Sequence, residues 1–374
     1  MNPVDYWRQN HPELSDIAAK AAGGARLSTA DARRLFECND LPFIGYLANL
    51  ARNRLNGDDA YFVVNRHLNY SNVCENRCLF CAFFRAPQAA DAYVMTLPEI
   101  FAAVDQYQSA GVRELHIVGG LHPELPYEYY RDMLAGLRRR FPEIHLKAFT
   151  MVEIDHLSTL SGLGIRETLR DLKAAGLNSI PGGGAEIFSA DVRQQLCPNK
   201  ISGKRWLDIA RIAHQEGIPS NATMLYGHLE SIEHRVDHLD RLRVLQDETG
   251  GFLSFVPLAF HAAHTSVSVP FPTTGCDDLK TLAISRLFLD NVPHIKAYWI
   301  MLGPKIAQIA LSFGADDLDG TIMEEKITHS AGARTAQAMT RDELVHLIRS
   351  AGRIPLERDA LYNVVWRPEK TPVS

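Results

Sequence analysis

From about residue 60 onward, short apolar runs alternate with longer stretches whose apolar residues recur at three- and four-residue spacing. The runs fall at 61–68, 114–118, 144–149, 177–180, 220–226, 252–260, 295–302 and, less sharply, 318–323. Near-continuous apolarity over so few residues predicts parallel strands buried on both faces. The stretches between them predict helices. Val236, Leu239 and Leu242 share one side of such a helix, with Arg and Asp between them. Thr96-Leu97-Pro98-Glu99 forms a capping box with an early proline, and Gly111 is the predicted stop.

Successive runs lie mostly about 30 to 40 residues apart, the length of a βα unit. Eight such units over residues 60–325 predict an α/β chain closed as a (β/α)8 TIM-type barrel, a fold of about 250 residues. The same alternation also permits an open doubly wound sheet, and the count of eight favours the barrel. Residues 1–59 predict a helical extension with helices at 14–22, 29–37 and 41–55, covering the barrel bottom or the first strand. Residues 326–374 predict a C-terminal helical extension packed on the barrel, with one helix at 341–351 and a short tail.

Composition narrows the function. With 39 Lys and Arg against 44 Asp and Glu, the net charge is −5, which removes the basic surface that nucleic acid or an anionic membrane requires. No apolar run reaches the roughly 18 residues that span a bilayer. Residues 1–14 lack the apolar segment of a secretory leader. The expected setting is a reducing cytoplasm, where thiols stay free for metal.

Of the six cysteines, Cys74, Cys78 and Cys81 cluster, while Cys38, Cys197 and Cys276 are isolated and read as small buried hydrophobes. Three thiolates at spacings of four and three on a loop after the first strand can converge on one iron–sulfur cluster. A fully protein-ligated 4Fe–4S cluster needs four cysteines, so three leave one iron open. Phe80, Phe83 and Phe84 supply an apolar wall. Structural zinc would need a fourth ligand, and neither His67 nor His116 is locally spaced for it. A cluster-bearing electron carrier is a further reading, which eight barrel units disfavour.

The pattern Cys-x-x-x-Cys-x-x-Cys, with Phe80 before the last cysteine, resembles the radical S-adenosylmethionine (SAM) enzymes. That resemblance implies a 4Fe–4S cluster held by Cys74, Cys78 and Cys81, and SAM as cosubstrate on the open iron. It extends through Asn65-Arg66-His67, His116 to Pro123, His145 to Thr150 with Glu153, Pro181 to Glu186, Asn221 to His228, Gln246 to Phe252 and Gly314 to Thr321. Together these are similar to the radical SAM enzymes of the futalosine route to menaquinone, a synthase and a cyclase. The Val-Gly-Gly-Leu-His-Pro, Leu-Lys-Ala-Phe-Thr and Lys-Ala-Tyr-Trp runs favour the synthase.

The resemblance implies a small dicarboxylate substrate and a low-potential electron donor. It places Gly119 and Gly120 against the methionine amino group, where residues without Cβ let a ligand approach the backbone. The acidic residue common after that pair is replaced by Leu121 and His122, which leaves the amine without a predicted side-chain partner. Glu153 is a candidate for a ribose or amine contact, or else a helix N-terminal carboxylate. The Gly182 to Gly184 run, followed by Glu186, is either an anion cradle or a tight turn. Tyr226 and His228, at the end of the fifth strand, and Arg66 and His67, in the first, are candidates for the substrate. Arg85, Lys147, Lys296 and Lys305 are further cations near predicted strand ends.

Overall fold

The computed structural model of the protein describes residues 10–106 and 110–369. The reading of residues 1–14 as leaderless lies mostly outside them. The first apolar run becomes two strands, β1 (Asp59–Val63) and β2 (Asn65–Leu68), offset at Val64. Next come β3 (Glu114–Ile117), β4 (His145–Ala148), β5 (Ser220–Tyr226), β6 (Phe252–Ala259), β7 (His294–Ile295) and β8 (Asp317–Gly320). Every neighbouring pair is parallel. The fourth predicted strand survives only as bridges from Ser179 to Lys147 and from Ile180 to Ser220. Bridges Lys296–Asp317 and Arg66–Met323 carry the circuit back to its start. The ring closes, as the count of eight predicts, and an open sheet is excluded.

Two expectations change. The seventh run is strand only at its start, and Trp299–Leu302 is a short helix. Trp299 is buried there and donates its indole N–H to the Gly320 carbonyl at 2.8 Å. The tail after helix Arg341–Ser350 is also more than a tail: it carries β9 (Ile354–Arg358) and β10 (Val364–Trp366). β3 begins opposite Asn65, so nothing from it pairs with β1 below that point. β9 runs parallel along Asp59 to Phe62 and covers this edge, which would otherwise expose unpaired backbone.

The N-terminal helices Ser15–Gly23, Thr29–Glu37 and Leu41–Asn56 form as predicted, the second with a full capping box. Helix Leu41–Asn56 packs on helix Gly275–Phe288. Its buried Arg52 donates to the Ala315 carbonyl at 3.0 Å, just before β8, tying the extension to the barrel bottom. The Thr96 capping box also forms, but that helix ends at Asp105, before Gly111. Below the barrel, Arg286 and Asp316 make a buried ion pair at 2.5 Å, completed by His294 at 2.6 Å from the same carboxylate. Among the described residues, no helix is long and apolar enough to cross a membrane.

Candidate active site

The loop after β2 carries the cysteine trio, and backbone hydrogen bonds to four segments hold it. Cys74 N donates to the Arg85 carbonyl (3.2 Å), Glu75 N to Leu121 (3.0 Å), Leu79 N to Leu196 (2.9 Å) and Ser266 N to Leu79 (2.8 Å). Arg85 is spent inside the loop: its guanidinium donates to the Ala82 and Phe84 carbonyls and to Asp91. It is a brace, not a substrate cation. Lys305 is exposed on its helix and also leaves the list.

Cys74, Cys78 and Cys81 all open onto one cavity of about 320 Å³ enclosed by the barrel and its upper loops. Phe80, Phe83 and Phe84 line it beside them. Burial pushes the Cys74 thiol up and the Cys81 thiol to about 11. A hydrogen bond with Cys197, together with burial, raises Cys78. Such raised thiols favour the protonated form, so thiolate ligation of a metal releases protons. Among the described residues, no three His, Cys, Asp or Glu side chains already stand close enough to grip a single ion. Three soft sulfur donors on one cavity wall, free of disulfides, are the donor set of an iron–sulfur cluster and not of a preformed single-ion site. They fit the group.

The glycines of the second βα loop face the same space, and packing explains them first. A Cβ on Gly120 would stand 2.1 Å from the Val73 carbonyl oxygen, and one on Gly119 would stand 2.5 Å from the Tyr70 ring. Glu153 lines the cavity as the third residue of helix Met151–Ser161. It accepts from Thr150 N (2.7 Å), Tyr70 OH (2.8 Å) and Gly119 N (3.1 Å), and burial raises its pKa. It thus caps its helix and also holds the glycine loop. Gly182, Gly183 and Gly184 line the cavity, and Glu186 is paired with Lys200 at 2.7 Å.

Three substrate candidates move off the site. β5 places Asn221, Thr223 and Leu225 on the cavity, so Tyr226 faces the opposite way. It is fully buried, and its hydroxyl donates to Asp278 at 2.7 Å. His228 organises the loop beyond: Nε2 donates to the Leu225 carbonyl (3.0 Å), and Nδ1 accepts from Leu229 N (2.6 Å). Arg66 also lies behind the wall, with Nη2 2.6 Å from Glu324 Oε2. His67, one residue on, does line the cavity, with His116, Lys147 and Lys296.

Burial lifts the Asp278 carboxyl from 3.8 to about 6. Between those values the folded chain holds a proton that the unfolded chain has released. Its contribution to stability is therefore full below 3.8 and is lost as pH rises through 6. Asp278→Asn keeps an acceptor for Tyr226. It is expected to exceed the wild type in stability by up to about 3 kcal/mol at about pH 8, the gain fading toward about pH 4. Urea unfolding across that range checks it; an equal gain at both ends would refute the assignment.

Two residues beside the trio carry no local signal. Cys197 is buried in hydrogen-bonding contact with Cys78, over a hundred positions away in sequence. Lys200 stands 5.0 Å from the Phe80 ring centre, a cation beside the trio with its side chain 11% exposed. Only the docking of residues 196–200 on the cysteine loop brings them there. The remaining isolated thiols differ from expectation as well: Cys276 is exposed and Cys38 half-buried.

A barrel whose first loop turns three cysteines onto a single cavity defines a class, and the comparisons agree. The chain belongs to the radical SAM superfamily, whose model matches residues 68–242; residues 249–371 match the CofH/MqnC C-terminal region. It is 48% identical to an aminodeoxyfutalosine synthase of Thermus thermophilus, over 95% of this chain and 96% of the relative. A Streptomyces coelicolor protein of the same name is 44% identical over 94% and 93%. A 5-amino-6-(D-ribitylamino)uracil–L-tyrosine 4-hydroxyphenyl transferase of Methanopyrus kandleri is 43% identical over 85% and 88%. Among solved structures, methylornithine synthase superposes with a TM-score of 0.72 at 17% identity, covering 90% of this chain and 96% of that one. The protein is a radical SAM enzyme that acts as a transferase, which sets aside the electron-carrier and zinc-module readings. Its superfamily implies a 4Fe–4S cluster and SAM.

Proposed function

We propose that the protein is an aminofutalosine synthase. It would add the 5′-deoxyadenosyl group of SAM to the enol-ether double bond of 3-((1-carboxyvinyl)oxy)benzoate, with aryl migration and decarboxylation, releasing methionine and bicarbonate. The observation that carries this is the 48% identity, over nearly both whole chains, to the Thermus thermophilus relative of that name. The setting would be menaquinone biosynthesis in the cytoplasm, with a low-potential electron donor and neither nucleic acid nor membrane as partner.

When bound, cluster and cosubstrate supply the adenosyl radical. Cys74, Cys78 and Cys81 would hold the cluster. The Gly119–Gly120 backbone, held by Glu153, and the Lys200–Glu186 pair beside Cys78 would border the cosubstrate. The barrel wall must fix the alkene in place and keep water out. Phe80, Phe83, Val256 and Leu258 give that wall its apolar character.

Anaerobic turnover with reductant, SAM and the enol-ether benzoate is expected to place the adenosyl group in the product, with little free 5′-deoxyadenosine. The cyclase of the same route works by hydrogen abstraction, so mainly free 5′-deoxyadenosine from a dehypoxanthinyl substrate would select it instead. The archaeal relatives at about the same identity favour a second reading. Under it, tyrosine and ribitylaminouracil would be consumed where the enol ether is not.

A further inference from the structure

Inside the barrel, below the cysteine loop, three neighbouring strands present a row of nitrogen-bearing side chains. His67 on β2 pairs in register with His116 on β3, and His116 with Lys147 on β4. Lys296, just past β7, and Asp319 on β8 complete the ring, and all five line the cavity. The two imidazoles stack at 4.5 Å with 16° between their planes. His67 is more than nine-tenths buried, and its Nε2 has no hydrogen-bond partner. A buried ring nitrogen left unpaired costs free energy that a ligand can recover.

The lysines are equally buried. Lys147 Nζ lies 2.6 Å from Glu114 Oε2, one layer deeper, and Lys296 Nζ lies 2.8 Å from Asp319 Oδ1. An ammonium has three N–H donors, so one ion pair leaves donors for a ligand. The backbone presenting Asp319 is strained: Asp319, Ile322 and Glu324 have φ of +66°, +48° and +64°, and such strain clusters at ligand sites. Glu114 and Asp319 offset the two ammonium charges, which suits a single carboxylate group better than a doubly charged phosphate group. Val256, Leu258 and Tyr298 add an apolar wall suited to an arene.

We propose that this row is the subsite for the arene carboxylate of the substrate: Lys147 and Lys296 flank the carboxylate, and His67 Nε2 hydrogen-bonds one of its oxygens. The inference rests on the function proposed above and deepens it by naming residues that select the substrate.

The test measures binding of 3-hydroxybenzoate and of neutral 3-hydroxybenzamide to the reconstituted holoenzyme by calorimetry. The wild type is expected to prefer the benzoate at least tenfold. His67→Phe, which keeps the ring stack, and Lys296→Gln are each expected to cut that preference below threefold, while SAM still perturbs the spectrum of the reduced cluster. A wild-type ratio near one, or an unchanged ratio in cluster-loaded variants, overturns the subsite. So does displacement of the benzoate by SAM, which would give the row to the cosubstrate's own carboxylate. Should the variants fail to fold, ¹⁵N-histidine spectra of the wild type decide: the benzoate must shift the His67 Nε2 resonance and the benzamide must not. If the tenfold preference holds but no adduct forms from the enol ether, the functional reading fails and the subsite stands. If the adduct forms at a ratio near one, the subsite falls alone.

Discussion

Cys78→Ala is expected to yield a folded protein without cluster and with activity lower by more than about 10³-fold, because the radical chemistry belongs to the bound group and not to the chain. Cys78 is the buried member of the trio, at the point where the loop docks on Leu196. Alanine removes one of the three clustered thiols while leaving the backbone bonds of Cys74, Glu75, Leu79 and Cys81 in place. Iron and sulfide analysis, visible absorbance and far-UV circular dichroism on the same sample separate lost ligation from lost fold. Cys276→Ala, at an exposed thiol, should load normally. A Cys78→Ala protein that keeps its iron and cleaves SAM would remove the basis of the site.

The second large effect is expected from Gly120→Ala, a change of one methyl group that removes no sulfur donor. The added Cβ would meet the Val73 carbonyl oxygen at 2.1 Å and Cys74 Cβ at 3.0 Å. The obstacle is backbone, so no rotamer change relieves it, and the cysteine loop must move away from the second βα loop. Overpacking of this kind costs about 1–3 kcal/mol, and a displacement of about 1 Å at reacting groups costs about 10²-fold in rate. Thermal unfolding and turnover per loaded cluster measure the two parts. Full activity per cluster would mean that the Gly120 contact does not position the trio.

Much of this site was legible along the chain. The trio, Phe80, Phe83 and the two glycines are local patterns, and they line the same cavity. The strands were legible too, since burial on both faces leaves an apolar run that needs no partner to be seen. The same property hid their orientation. β5 is buried at all seven positions, so its sequence does not say which alternate residues face inward. Tyr226 at its end looked like a site residue, yet it belongs with Ala222 and Met224 on the outer face, while Asn221, Thr223 and Leu225 face in. Arg66 and His67 are divided in the same way. The C-terminal strands were invisible because β9 exists to cover an edge of β1, which only the offset at Val64 creates.

The sequence by itself determined most of the barrel's elements, their count, the cysteine trio and the apolar wall beside it, because each depends on residues within a few positions of one another. Only the tertiary structure decided that Lys200 and Cys197 flank the cysteines, that Glu153 holds the glycine loop, and that His67, His116, Lys147 and Lys296 share one interior row. Those relations span distant positions and follow from strand register and closure of the ring. A shift of one residue in β2, β3 or β4 would turn His67, His116 or Lys147 to the other face.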